Sequence, residues 1–278
     1  MGYYGRYCLV ILLTLLSFIG FGQHFSRVGP VAMPVQTGGG GGGTGTVSFV
    51  NEASSLAMGT TSLSVPLPPS RVVGNIMVMI VVNKYPPNGG TVTPTGWSTF
   101  TNNQAENSGL TAGAANGNTR TTVFYRIIDG SESGNVSVTM TSANVSIGWI
   151  LQFSKSAGTW AVAGATGADN THNGTTSFDL NTDPGFTTGD MAVMAAAINM
   201  TTGVAVLGES ATLTVPGITA WSAQSGNTDN STTGDDIRLF YLYKGVTTGT
   251  SSGIPSYSHT ITQNSATSMV LVRLRAQL

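Results

Sequence analysis

The chain carries one run of residues twice. Gly59-Thr60-Thr61-Ser62-Leu63-Ser64-Val65 leads into Pro69, Gly74 and the apolar string Ile76-Met77-Val78-Met79-Ile80-Val81-Val82. Gly174-Thr175-Thr176-Ser177-Phe178-Asp179-Leu180 leads into Pro184, Gly189 and Met191-Ala192-Val193-Met194-Ala195-Ala196-Ala197, and the two stretches align without a gap. Later landmarks recur in the same order: Trp97 and Trp221 after Pro/Gly turns, then Phe124-Tyr125 and Phe240-Tyr241. Self-similarity of this kind sets architecture before any single motif does. It predicts two related modules of roughly 110 residues each, an ordinary domain size. It also makes residues found in one copy only weak candidates for anything the modules share.

The residues between the landmarks read as strands. Leu63, Val65 and Leu67 fall on one face of an alternating run, while Ile76 to Val82 is apolar on both faces, as in a strand covered on both sides. Arg120–Ile128, Asn135–Met140, Val145–Phe153, Ser177–Leu180, Asp190–Ile198, Ala211–Val215, Ile237–Tyr243 and Ser256–Ile261 follow. In Ser268–Leu274 the residues Val270, Val272 and Leu274 alternate with Leu271, Arg273 and Arg275, which predicts a half-exposed strand. Many short strands punctuated by Gly, Asn, Asp and Ser argue for an all-β protein built of antiparallel sandwiches of jelly-roll or immunoglobulin-like type.

The N-terminus reads differently. Cys8 to Gly22 is an apolar stretch of about 15 residues behind Arg6, which suits a signal-peptide core and is short for a spanning helix. The expected division is a signal peptide or N-terminal anchor over 1–22, a flexible linker over 23–45 containing the glycine run Gly38–Gly43, and modules over 46–156 and 157–278. Six glycines without a following Gly-Lys-Ser/Thr do not make a nucleotide loop, but they do make a tether. Cys8 is the sole cysteine, so a chain cleaved near Gln23 has no disulfide framework.

Charged residues are 8% of the chain and the net charge is −1, about a third of the usual charged share. That gives nucleic-acid binding little electrostatic support. It suits a neutral surface rich in hydroxyl and amide groups, as on exported, cell-surface or virion proteins.

Few constellations suggest chemistry. Asp179, Asn181, Asp183 and Asp190 mimic part of a calcium loop by alternating oxygen ligands, but Pro184 stands where the turn glycine belongs. Gly249-Thr250-Ser251-Ser252-Gly253 matches the string of a nucleophile elbow, yet a strand and not a helix follows it. His24, His172 and His259 lack zinc spacing. Glu52, Glu106, Glu132 and Glu209 occupy unmatched places in the two copies. The reading is a protein without catalytic residues, cofactor or metal, with that acidic loop as a weak calcium candidate.

Binding is the more promising property. The segments Asn102–Asn118 and Gln224–Gly234 are polar loops at matching positions, where a scaffold usually varies. They supply the candidates Asn103, Asn116, Asn227 and Asp229. Trp97 and Trp221 admit two roles, a buried ring closing the sandwich or an exposed platform for a sugar face. Sequons such as Asn135-Val136-Ser137 are expected by chance in a chain this rich in Asn, Ser and Thr.

Four segments resemble a known module. Ser64-Val65-Pro66-Leu67-Pro68 leading to Gly74-Asn75-Ile76, Thr93-Pro94-Thr95-Gly96-Trp97, Phe124-Tyr125-Arg126-Ile127-Ile128-Asp129-Gly130-Ser131-Glu132 and Gly148-Trp149-Ile150-Leu151 are similar to a β-sandwich module of tailed-phage virion and tail-fibre-associated proteins and of some bacterial surface proteins. The likeness spans Thr46 to about Ser154 and is looser in the second copy, where Asp190 restores a Gly-Asp pair but the Asp-Gly-Ser-Glu turn is missing. A secretion-like N-terminus departs from a soluble phage tail protein. The resemblance implies a non-enzymatic structural or attachment protein displayed on a virion or cell surface, touching neighbouring subunits in a homo-oligomer or assembly, or a host glycan. It implies no nucleic acid, and a membrane only through an uncleaved N-terminal segment. The alternative is a secreted carbohydrate-binding protein with exposed tryptophans.

Overall fold

The computed structural model describes residues 45–58, 61–85, 90–99, 104–106, 118–140, 145–199, 210–222 and 237–278. The N-terminal apolar segment and the glycine run lie outside them. Every regular element among the described residues is a β-strand. The strands are β1 (Val47–Met58), β2 (Ser62–Pro66), β3 (Ile76–Tyr85), β4 (Gln104–Glu106), β5 (Asn118–Ile127), β6 (Asn135–Thr139) and β7 (Val145–Lys155), then β8 (Thr159–Asp179), β9 (Met191–Asn199), β10 (Ser210–Thr214), β11 (Ile218–Trp221), β12 (Ile237–Gly249) and β13 (Ser256–Gln277).

One large sheet has the order β1-β7-β3-β5-β4. In the other, β13 lies between β8 and β9, followed by β12 and β11. The pairings are antiparallel throughout. Each large sheet is covered on its outer face. A β2-β6 pair covers the first. The second is covered by the end of β8, the start of β13, and β10.

This layering explains the doubly apolar runs. Ile76 to Val82 are all 0% exposed. Ile76, Val78, Ile80 and Val82 join Met191, Val193, Ala195, Val270 and Val272 in a core between the two large sheets. Met77, Met79 and Val81 face the other way, onto Leu63, Val65 and Val138. Each such side chain contributes about 1.5–3 kcal/mol by leaving water. The middle core has polar rivets too: Thr121 Oγ1 donates to the Ser268 carbonyl at 2.8 Å and accepts from the Ala197 amide at 3.1 Å.

The strand order β1-β7-β3-β5 is matched by β8-β13-β9-β12. Register adds detail that spacing misjudges. Tyr125 lies opposite Val78, and Tyr243, not Tyr241, lies opposite Val193. The residue answering Arg120, which faces Asn83, is therefore Arg238, which faces Ile198.

Two expectations need correction, and one strand was not anticipated. Thr159–Asp169, rich in Ala and Gly, is the first half of β8, because β13 supplies its whole ladder; strand propensity yields to context. The separate strands expected at Ser256–Ile261 and Ser268–Leu274 are one strand. That strand's later part is not half-exposed, since Leu271 and Val272 are both buried.

The large sheets share a polarity. Phe49 stacks on Tyr243 at 4.3 Å, the Val47 amide donates to the Gly189 carbonyl and Trp160 Nε1 donates to the Gly74 carbonyl. These contacts gather Gly45, the starts of β3 and β9 and the end of β13 at one pole. The Thr121–Ser268–Ala197 contacts gather the ends of β3 and β9 and the starts of β5 and β12 at the other. The body between them is about 30 Å long, from a ten-residue β3 at about 3.3 Å per residue.

Candidate functional site

The turns that carry the resemblance hold one another in place. Arg126 Nε donates to Glu132 Oε1 at 2.9 Å and its Nη2 donates to Ser131 Oγ at 2.7 Å. Glu132 also accepts from the amides of Asp129 and Gly130, at 3.0 and 3.1 Å. Arg71 spans the carbonyls of Pro68 and Glu132. Hydrogen bonds from Ser131 hold the Asp129 carboxyl down at about 2. Gly96 has φ of +78°, and a Cβ there would stand 2.6 Å from Arg126 Nη1. The Thr-Pro-Thr-Gly-Trp and Asp-Gly-Ser-Glu motifs are thus two sides of one lock, which accounts for their residues without any chemistry.

The second half builds a comparable lock around Asp190, which is fully buried. Arg275 reaches its carboxylate from Nε at 2.8 Å and from Nη2 at 2.6 Å, and donates to the Gly185 carbonyl. Arg273 donates to the carbonyls of Pro184 and Gly185. The hydrogen bond with Asp190 raises the Arg275 pKa above its usual range.

These contacts disperse the weak calcium candidate. Asp190 is taken by a guanidinium. Asp183 accepts from the Gly185 amide at 2.8 Å, Asn181 Oδ1 accepts from the Thr166 amide at 2.9 Å, and Asp179 ends β8 on an exposed position. Among the described residues no three His, Cys, Asp or Glu side chains come together as a metal would need.

Trp97 sits in the outer core of the first half at 7% exposure and shows no free ring face. Trp221 is partly buried, edge-on to Phe186 at 6.0 Å. Each delivers the next residue, Ser98 or Ser222, onto a central strand. Asn103, Asn116, Asn227 and Asp229 lie outside the described residues, as do most of Asn102–Asn118 and all of Gln224–Gly234.

What the structure adds is the floor beneath those segments. At the pole where β5 and β12 begin, one row across the first large sheet reads Ser146, Asn83, Arg120. The matching row in the second reads Asp169, Thr267, Ile198, Arg238. Both arginines are nearly buried, at 4% and 3% exposure. Over the second row lies the outer layer, with His259 between Thr176 and Ala211. Around Arg120, the side-chain polar atoms of Asn83, Thr122 and Ser146 are buried without a hydrogen-bond partner. The hydroxyls of Tyr257, Thr176 and Thr267 and both ring nitrogens of His259 are in the same state around Arg238. Burial pushes the Arg238 pKa down and the Tyr257 hydroxyl up. Interiors of β-sandwiches are normally apolar and satisfied; most of the buried polar atoms without a partner among the described residues gather at this pole, although Gln152 is in the same state toward the other end. Sequence reading missed that gathering because aligning Phe124 with Phe240 sets Arg120 against Asp236; a two-residue slip in that alignment recovers the arginine pair.

No family model, curated protein or solved structure matches this chain.

Proposed function

We propose that the protein is a non-enzymatic structural or attachment protein, displayed on a virion or cell surface as two related β-sandwich modules, with the polar-floored pole as its contact end. One observation carries this reading. Gly45, the first described residue, lies against Ala276 at one pole, while β4 ends and β5 and β12 begin, each next to a candidate loop, at the opposite pole, about 30 Å away. A chain held at one end and varied at the other is how a scaffold offers loops to a partner. The motif turns support it as well, since their charged residues are consumed in locking the fold. With a low charge, contact proceeds through hydrogen bonds and stacking, to a neighbouring subunit or a host glycan. The buried Trp97 weakens the alternative of a tryptophan sugar platform.

The test replaces Asn102–Asn118 and Gln224–Gly234, separately and together, by short Gly-Ser connections. Binding of the purified variants to a glycan array and to candidate host cells is then compared with thermal stability. Loss of binding at unchanged melting temperature supports the reading. Full binding by the double replacement, or turnover of a substrate by the unaltered protein, would overturn it.

A further inference from the structure

We propose that His259 is an acid-sensitive latch, whose protonation loosens the outer layer of the second half from its large sheet. The argument rests first on placement. His259 lies on the first part of β13, in the covering layer, between β8 and β10. It is 3% exposed, and neither ring nitrogen has a hydrogen-bond partner. A buried imidazole in that state tolerates only its neutral form, because a charge there is neither solvated nor paired.

The charged and titratable groups around it act in opposite directions. Arg238 comes from β12 and repels a second positive charge, while Asp169 comes from β8 and attracts one. Tyr257, two residues away on the same strand with its ring centroid 5.3 Å from the imidazole, is itself held neutral by burial. β10 presents Ala211 and Leu213 and β9 presents Ile198, none of which titrates. Desolvation outweighs Asp169, with Arg238 adding to it, and the imidazole is pushed down to about 4.

The sign follows from linkage. The ordinary histidine value is about 6.5. In the opened layer the ring takes up a proton near that pH, whereas in the closed layer it resists until about 4. The stabilising contribution is complete above about pH 6.5 and drains away as pH falls toward the folded value. The first half is built without this device: register places Met140 where the second half has His259, because Val138 faces Leu63 as Tyr257 faces Phe178. The latch therefore works on one half only.

The experiment is hydrogen exchange on the full chain at pH 7 and at about pH 4.5, corrected for intrinsic rates, with His259→Met as the comparison. The wild-type amides of Ser256–Thr260 and Ser210–Thr214 should lose protection by between about tenfold and about a hundredfold on acidification, while those of Ile76–Val82 hold. In His259→Met that selective loss should vanish. Equal losses in both proteins, or no loss in the wild type, would overturn the proposal. Should the methionine variant fail to fold, NMR titration of the wild-type imidazole decides: a midpoint well below 6.5 sustains the latch, and a midpoint at 6.5 ends it.

Discussion

Tyr241 donates its hydroxyl to Glu52 at 3.1 Å, joining the second large sheet to the first across the middle core. Glu52 also accepts from Trp149 Nε1 at 3.2 Å, and the Trp149 and Tyr241 rings lie 5.0 Å apart. A single carboxylate thus serves a donor from each half. Burial, reinforced by the Glu52 charge, pushes the Tyr241 pKa well above its ordinary 10. The folded state therefore favours the neutral phenol. Its contribution is whole below about pH 10 and is lost as pH rises beyond that. Tyr241→Phe should cost about 0.5–1.5 kcal/mol at neutral pH and flatten the alkaline limb of stability, both read from denaturant melts between pH 7 and 11.

Asp190 and Arg275 form a pair whose acid is fully enclosed while the guanidinium keeps some contact with water. Asp190→Ala leaves that guanidinium and the Thr187 amide without their acceptor. A loss of about 3–5 kcal/mol is expected. The double variant with Arg275→Ala should recover part of it, which a double-mutant cycle by urea unfolding would measure.

Gly148 lies under the covering layer of the first half. A Cβ there would stand 2.4 Å from Val65 Cγ2 and 2.8 Å from Leu63 Cδ2. Gly148→Ala should destabilise by about 1–3 kcal/mol through overpacking. Adding Val65→Ala to make room should reduce the penalty of the alanine, a non-additivity visible in thermal melts of the four proteins.

Ser70 holds a φ of +54°, a left-handed conformation that costs an L-residue about 1 kcal/mol. Its side chain is exposed. Ser70→Gly should raise the melting temperature slightly or leave it level, since relief of strain offsets the extra freedom of an unfolded glycine; a clear fall would contradict the strain.

The strands were legible where the pattern was strong. Ile76 to Val82 announced a strand buried on both faces, and it is one. Composition hid Thr159–Asp169, because Ala and Gly carry no periodic signal and acquire strand form from β13. The lock around Arg126 was visible only as motif strings; nothing in their spacing tells that Gly96 is small to admit a guanidinium. The arginine pair at the loop-bearing pole was lost to a slip in alignment that only ladder register corrects. His259 read as an isolated histidine, since its significance depends on Arg238 and Asp169, residues brought to it by strands distant in sequence.

Val47 to Met58 pairs with β7 through eleven partners and begins two residues after Gly45, which itself bridges Ala276. A pull arriving through the residues before Gly45 travels along the axis of β1, so these rungs resist it together in shear instead of parting one after another. Anchored from that side, the body is braced to bear mechanical load.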